Sequence, residues 1–358
     1  AFGADVISRI AATIEQPAAL ADLRGRVVTQ LAGMVDVLAS TAGVDIGDIL
    51  SAAVAGHPTM MHLLAGVPPA AMAAAPFIPA FTRSRMCTPA ELGLPLGPAS
   101  RIFLLPSVSA YVGADIVAGI LATGMAGRDS LDLLLDIGTN GEIALGGSGG
   151  ILCCATAAGP AFEGAGIEKG MGGVEGAIDT VWLDGDTLGF TTIGGSPAQG
   201  ICGSGIIDAI AALLDCGLLE DSGRILDADE AASLPPAIAA LRADTPKGPV
   251  VYLDRGRGIY LSQADIREAQ LAKAAIAAGI DVLVARAGRS LAEVGTVYLA
   301  GGFGSFLDER SAIRIGLIPR ELADRIIVAG NTSGAGAAAA CLSAGSLASC
   351  ACIARLCT

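Results

Sequence analysis

Apolar positions along this chain follow two different spacings. Residues 17–40 place Leu20, Leu23, Val27, Leu31, Met34, Val35 and Leu38 three or four apart, which gives a helix a single apolar stripe. Residues 49–55, 101–105, 131–137, 142–145, 151–155, 297–300 and 326–328 are short apolar runs without that period. Such runs, bounded by turn residues, predict buried strands. The three runs between 131 and 155 are joined by Gly-rich turns and predict an antiparallel meander. Small-residue helices are predicted after residues 111–115, reaching about Ala122, and after Gly330-Asn331, and residues 201–205 open an apolar helix to about Asp215. Ser262 stands three residues before Asp265, the spacing of a capping box, and starts a helix running to Ala287. Residues 68–100 read as loop with short helical turns, and 220–256, which hold charge and proline, read as a surface excursion. Strands alternating with helices indicate an α/β fold, with a βββαβα lobe from residue 131 onward.

The run LDLLLDIGTNGEIAL at 131–145 carries the most chemistry. Its strand ends in Asp136 and turns through Gly138-Thr139-Asn140-Gly141. A carboxylate at a strand end beside small residues is how a hairpin brings N–H groups and an acid to a phosphate, and the glycines permit close approach. Thr139 and Asn140 add donors, and Asp136 can hold a metal-bound water or orient an attacking one. An ordinary Asn-Gly hairpin with a solvated Asp fits the same residues. Two further Gly-rich strand ends occur, at 300–304 and 330–336. Three such ends in one α/β lobe converge on the crevice where ligands bind in these sheets.

Composition narrows the choice. The 358 residues suffice for two or three domains, and 53% are hydrophobic with few aromatics. The net charge of −13 argues against nucleic acid or an anionic membrane as partner. Only Lys169, Lys247 and Lys273 are lysines, so a lysine at a phosphate site is one of these. The uncharged stretch between Arg325 and Arg355 is long enough to span a bilayer but too rich in Gly, Ser, Asn and Thr, and reads as a buried helix. Nine cysteines lack the spacing of a zinc or iron–sulfur site, and free thiols imply a reducing cytoplasm. His57 and His62, five apart, are poorly spaced for one helix face and read as structural. The opening Ala1-Phe2-Gly3 reads as the interior of a longer sequence.

The order of motifs resembles the acetate-kinase, sugar-kinase, Hsp70 and actin superfamily of ATPases. Residues 106–122 look like its connect 1, 136–142 its phosphate 2, 298–304 its adenosine motif and 330–340 its connect 2. Five runs are similar to one branch, the C-terminal ATPase domain of reductive activators of corrinoid proteins. They are FGADVISR at 2–9, LLDIGTNGE at 134–142, TAAGPAFEG at 156–164, GICGSG at 200–205 and DIREAQLAK at 265–273.

That resemblance implies a two-lobed, actin-like (ribonuclease H-like) α/β ATPase fold. The first lobe, residues 1–124, would be N-terminally incomplete, lacking the phosphate 1 loop. Residues 125–340 would form the second lobe, and 341–358 a tail. It implies ATP and Mg2+ as cofactors, with an iron–sulfur cluster in an upstream domain, and a corrinoid protein or corrinoid-dependent methyltransferase as partner to a homodimer in the cytoplasm. The implied function couples ATP hydrolysis to re-reduction of corrinoid Co(II) to Co(I). A small-molecule kinase of the same superfamily and a non-catalytic interaction module are the competing readings. Asp136, holding magnesium-bound water or aligning the hydrolytic water, and Glu142 are the implied catalytic residues. Gly138, Thr139, Asn140 and Gly141 would face the β/γ-phosphates, and Gly301, Gly302 and Gly304 the adenosine and α-phosphate. Gly203, Ser204 and Gly205 would offer helix N-terminal N–H groups, and Gln270 or Lys273 would flank the adenosine. His57 stands where the branch usually shows asparagine.

Overall fold

The computed structural model describes residues 5–138, 140–304 and 306–358. The chain divides into two units. Unit 1 holds Ala1–Leu134, Glu142–Ala155 and Asn331–Thr358, and unit 2 holds Leu135–Gly141 and Thr156–Gly330. The last residues, expected as a tail, therefore group with unit 1.

In unit 1 the long helix forms over Ala18–Ala42, closed by Gly43 in the left-handed conformation. Its apolar stripe is only half used: Leu23 is buried, whereas Met34, Val37 and Leu38 are exposed. A further helix, Val6–Glu15, starts where the Asp5 carboxylate accepts from the Ser8 N–H at 2.8 Å. The strand Arg101–Leu104 pairs in parallel with Ser51–Val54 and antiparallel with Arg85–Cys87. The last of these lies in the stretch expected to be loop. The predicted meander is present: Leu131–Ile137, Gly141–Gly147 and Gly150–Thr156 are consecutive neighbours. Ile102, Leu104, Leu133 and Leu134 are fully buried, as short apolar strands between helical layers should be.

The uncharged C-terminal stretch is two helices, not one: Thr332–Leu342 and Ala344–Leu356. Ser343, in extended conformation, ends the first and caps the second through the Ser346 N–H. Among the described residues no helix is long and apolar enough to cross a membrane. Helix Thr332–Leu342 packs on Ala114–Thr123, with the Gly336 backbone against the Ala118 carbonyl. A Cβ at Gly336 has no room there, and a carbonyl cannot move without moving its helix. Gly336→Ala is therefore expected to cost about 1–3 kcal/mol, read as a lowered midpoint in thermal or urea unfolding.

Both histidines serve this unit's packing. His57 caps the helix Pro58–Ala65, its Nδ1 accepting from the Thr59 N–H, and burial, aided by Arg9, pushes its pKa down to about 4. His62 lies 2.8 Å from the Pro58 carbonyl through Nδ1, accepts from the Ala80 N–H through Nε2 and stacks on Phe81.

In unit 2 the strand Val294–Ala300 lies between Ile326–Gly330, its parallel partner, and Leu131–Ile137. Two sheets here go beyond what the apolar runs predict. Ala177–Asp184 pairs antiparallel with Thr187–Thr192 and in parallel with Gly200–Ile201. Arg242–Thr245, Gly248–Asp254 and Ile259–Ser262 form a three-stranded antiparallel sheet within the stretch expected to be a surface excursion. The helix Gln263–Arg286 begins at the expected capping box, with Ser262 and Asp265 bonded reciprocally. Gly203–Asp215 is the other long helix, with Ile206, Ile207 and Leu213 buried.

Candidate functional site

Unit 2 contains a cavity of about 800 Å³, lined by residues from several separated parts of the chain. Gly138 comes from the hairpin after strand Leu131–Ile137, and Gly302 from the turn after Val294–Ala300. Gly203 and Ser204 come from the start of a helix, and Glu163 from the short 3-10 helix Pro160–Glu163. This size is ordinary for a cofactor site. Two of the Gly-rich strand ends thus meet at one cavity, as the sheet topology requires.

The two strand ends touch through Asp136 and Gly301. A Cβ on Gly301 would lie 2.5 Å from Asp136 Oδ1 and 2.7 Å from the Ile137 carbonyl, and Gly301 has φ +91°. Only glycine combines that conformation with that contact. Gly302, one residue on, has open space where a side chain would be, and it lines the cavity.

The remaining expected site residues divide into several groups. Thr139 lies outside the described residues. The Gly138 N–H donates to the Asn140 carbonyl at 3.0 Å, closing the hairpin, so this N–H is already engaged. Gly141 is buried: its carbonyl accepts from Thr156 Oγ1, and a Cβ would strike that hydroxyl. Gly205 packs on the Ile178 carbonyl and does not line the cavity. Gly304 is buried near Leu299. These glycines allow close packing, a demand the sequence cannot separate from ligand approach. Glu142 is 8% exposed, groups with unit 1 and is not among the lining residues. Gln270 and Lys273 line a different, small depression beside Gly223 and Ile315. There Gln270 donates to the Ser222 carbonyl and accepts from Arg267.

The helix Gly203–Asp215 presents its start to the cavity with Cys202 at the N-cap and no side-chain cap. The Ser204 hydroxyl donates to the Asp179 carbonyl at 2.8 Å, which fixes the first turn. Uncapped N–H groups and the positive end of the helix dipole suit an anion such as phosphate. Glu163 and Asp179 are lining acids to which sequence reasoning assigned no role. Glu163 lies inside the TAAGPAFEG run, the one signal that could have found it; Asp179 accepts from the Thr191 hydroxyl at 2.8 Å.

No cluster of three or more metal-ligating side chains occurs among the described residues. Magnesium nevertheless suits this chemistry. It holds several waters and is bound through one or two carboxylates together with substrate phosphates, and Asp136 beside the Gly-rich turn supplies such a carboxylate.

One turn beyond Ser204, Asp208 is buried, and burial is the main cause that pushes its carboxyl up to about 6; the nearby Ser311 hydroxyl and the Val181 N–H act against it. Since the folded value exceeds the unfolded one, ionisation opposes folding. The penalty is absent below about pH 4, grows as the pH rises to 6 and is complete above it. Asp208→Asn is expected to stabilise the protein at pH 7.5 by up to about 3 kcal/mol and by little at pH 4, as read from melting curves at both pH values.

Comparison with known proteins adds to this geometry. Residues 130–358 match the family described as the C-terminal domain of RACo, the ASKHA domain, and residues 1–128 match the RACo middle region. The corrinoid activation enzyme RamQ of Eubacterium limosum is 34% identical over 347 residues, which cover 94% of this chain and 57% of RamQ. The Co(II) methylated amine-specific corrinoid protein reductase of Methanosarcina barkeri is 29% identical over 254 residues, covering 65% of this chain and 43% of that protein. The solved structure of a reductive activator for corrinoid, iron–sulfur protein superposes with a TM-score of 0.89 at 36% identity, covering all of this chain and 57% of that one. The chain thus spans about half the length of these relatives.

Proposed function

This chain belongs to the RACo family, as its middle region and C-terminal ASKHA domain, and on that premise we propose that it is the nucleotide-dependent part of a reductive activator of corrinoid proteins. The fold is the mixed α/β, actin-like fold of that family. The observation that carries the proposal is the contact between the strand ends at Asp136 and Gly301, whose near neighbours Gly138 and Gly302 line a cavity that also receives an uncapped helix start. Such a cavity fits a polyphosphate at one end.

ATP with magnesium, when bound, supplies a phosphoanhydride whose cleavage drives a cycle. Asp136 would orient the attacking water or help hold magnesium, which would offset charge on the phosphates. The first turn of helix Gly203–Asp215 holds phosphate, and Gly302 leaves room for the nucleotide. The partner is a corrinoid protein, and the chain acts as a homodimer in the cytoplasm. One electron converts Co(II) to Co(I), and it comes from an iron–sulfur cluster expected outside these residues. ATP promotes the step only by favouring the state of the complex in which cobalt is more easily reduced, since a ligand shifts an equilibrium by its differential affinity alone.

The test is steady-state phosphate release from ATP by the full-length protein, with and without a Co(II) corrinoid protein. Stimulation by the corrinoid protein is expected. Equal rates in both arms contradict the proposal, and phosphate transfer to a metabolite would favour the kinase reading.

A further inference from the structure

Unit 2 also carries an open depression of about 410 Å³, lined by Arg310, Arg314 and Arg320 with Asp215 as its one acid. The sequence holds 35 acids against 22 bases, so three arginines around one acid reverse the general balance. Asp215 is already engaged: it pairs with Arg314 at 2.5 Å, and Asp221 lies 3.6 Å from the same guanidinium. Arg310 and Arg320 are exposed and form no ion pair or hydrogen bond among the described residues. Like charges lining one depression repel each other, and a carboxylate brought in from outside relieves that repulsion.

Trp182 extends this surface. A smaller cavity of about 340 Å³ shares Asp215, Arg310 and Ser311 with the depression, and Trp182 lines it. Trp182 is the one tryptophan of the 358 residues and is 43% exposed. It pairs across the hairpin with Gly189, where a Cβ would lie 2.6 Å from the indole. The missing side chain lets the ring rest against the strand there while part of it stays in solvent. The other acids of this cavity are engaged or hidden: Asp308 accepts from the Ser311 N–H at 2.8 Å, and Asp208 is 4% exposed. A supported but uncovered tryptophan beside unpaired arginines has the composition of a protein-binding hot spot. The smaller cavity also shares Thr180 with the 800 Å³ cavity, so the surface borders the nucleotide site.

We propose that Trp182, Arg310 and Arg320 form a docking surface for the corrinoid protein, and that the face they fit is acidic with an apolar group against the indole. The inference rests on the partner reading given above. A position bordering the nucleotide site lets bound nucleotide bias the affinity for the partner.

The test is binding of a Co(II) corrinoid protein to the full-length protein with ATP present, at two salt concentrations. Arg310→Glu combined with Arg320→Glu should weaken binding about tenfold or more, chiefly by slowing association, and should reduce its salt dependence. Neither arginine holds a bond of the fold, so the melting temperature should hold and ATP affinity should stay within about twofold. Arg257→Glu combined with Arg286→Glu makes the same change of net charge at exposed positions outside the depression and should leave partner binding within about twofold. Trp182→Ala should weaken binding about tenfold with its salt dependence unchanged. Equal losses in the two double variants, or a loss in neither, overturn the proposal, since the partner then senses net charge alone or docks elsewhere. Dissociation of a homodimer by the first double variant, with partner affinity unchanged, assigns the surface to a second copy of this chain and overturns it too. If the parent protein does not bind the corrinoid protein, it is the partner reading that fails, and this inference with it.

Discussion

Asp136→Asn is expected to lower ATP turnover by a factor of about 100 to 10,000 with little change in melting temperature. Asn keeps the size of the side chain and removes the charge that orients water or holds a magnesium-bound one. The site can tolerate this exchange because Asp136 is half-buried at a strand end. Phosphate release and a melting curve on the same preparation check both halves. Turnover at the parental rate would remove Asp136 from the mechanism.

Gly301→Ala is the second change with a large expected effect. Its Cβ would enter the space of Asp136 Oδ1 and of the Ile137 carbonyl, at a φ of +91°. The carbonyl belongs to a strand between two others and cannot give way, so a cost of about 3–5 kcal/mol is expected. Displacement of Asp136 should remove nucleotide turnover as well. Gly302→Ala is the natural contrast, since no atom lies within 4 Å of its Cβ position. It should keep the melting temperature and weaken nucleotide binding only. Two adjacent glycines with opposite outcomes would show that one is needed for packing and the other for the ligand.

Much of this arrangement is legible in the amino-acid sequence, for reasons that differ from place to place. The helix start at Ser262 is legible because a capping box is a local hydrogen-bond pattern fixed by two residues. The meander is legible because its first two strands are buried on both faces and the apolar run continues into the third. The sheet over 242–262 is not, because Arg242, Asp244, Lys247 and Asp254 interrupt its apolar positions and much of it is only partly buried. The hairpin Ala177–Asp184 with Thr187–Thr192 does carry a signal in Asp184-Gly185, with Gly185 at φ +56°. A reading led by apolar runs passes over it.

The site shows the same division. Gly-rich strand ends state that the backbone comes close to something, without saying to what. At Gly302 the space is open; at Gly141 and Gly205 it is filled by Thr156 and by the Ile178 carbonyl. The helix spacing of Gln270 and Lys273 is regular, yet it leads to Ser222 and Gly223 and not to the cavity that Gly138 and Gly302 line. Asp208 gives no sequence signal at all, since an acid within an apolar helix acquires meaning only from its burial.

Nucleotide bound in this chain is expected to drive reduction of a corrinoid. The most direct measurement is the optical spectrum of a Co(II) corrinoid protein incubated anaerobically with the full-length protein and a low-potential reductant, with and without ATP. Co(I) formation is expected to require ATP and to be lost in Asp136→Asn. Co(I) formation at the same rate without ATP, or undiminished in that variant, would contradict it.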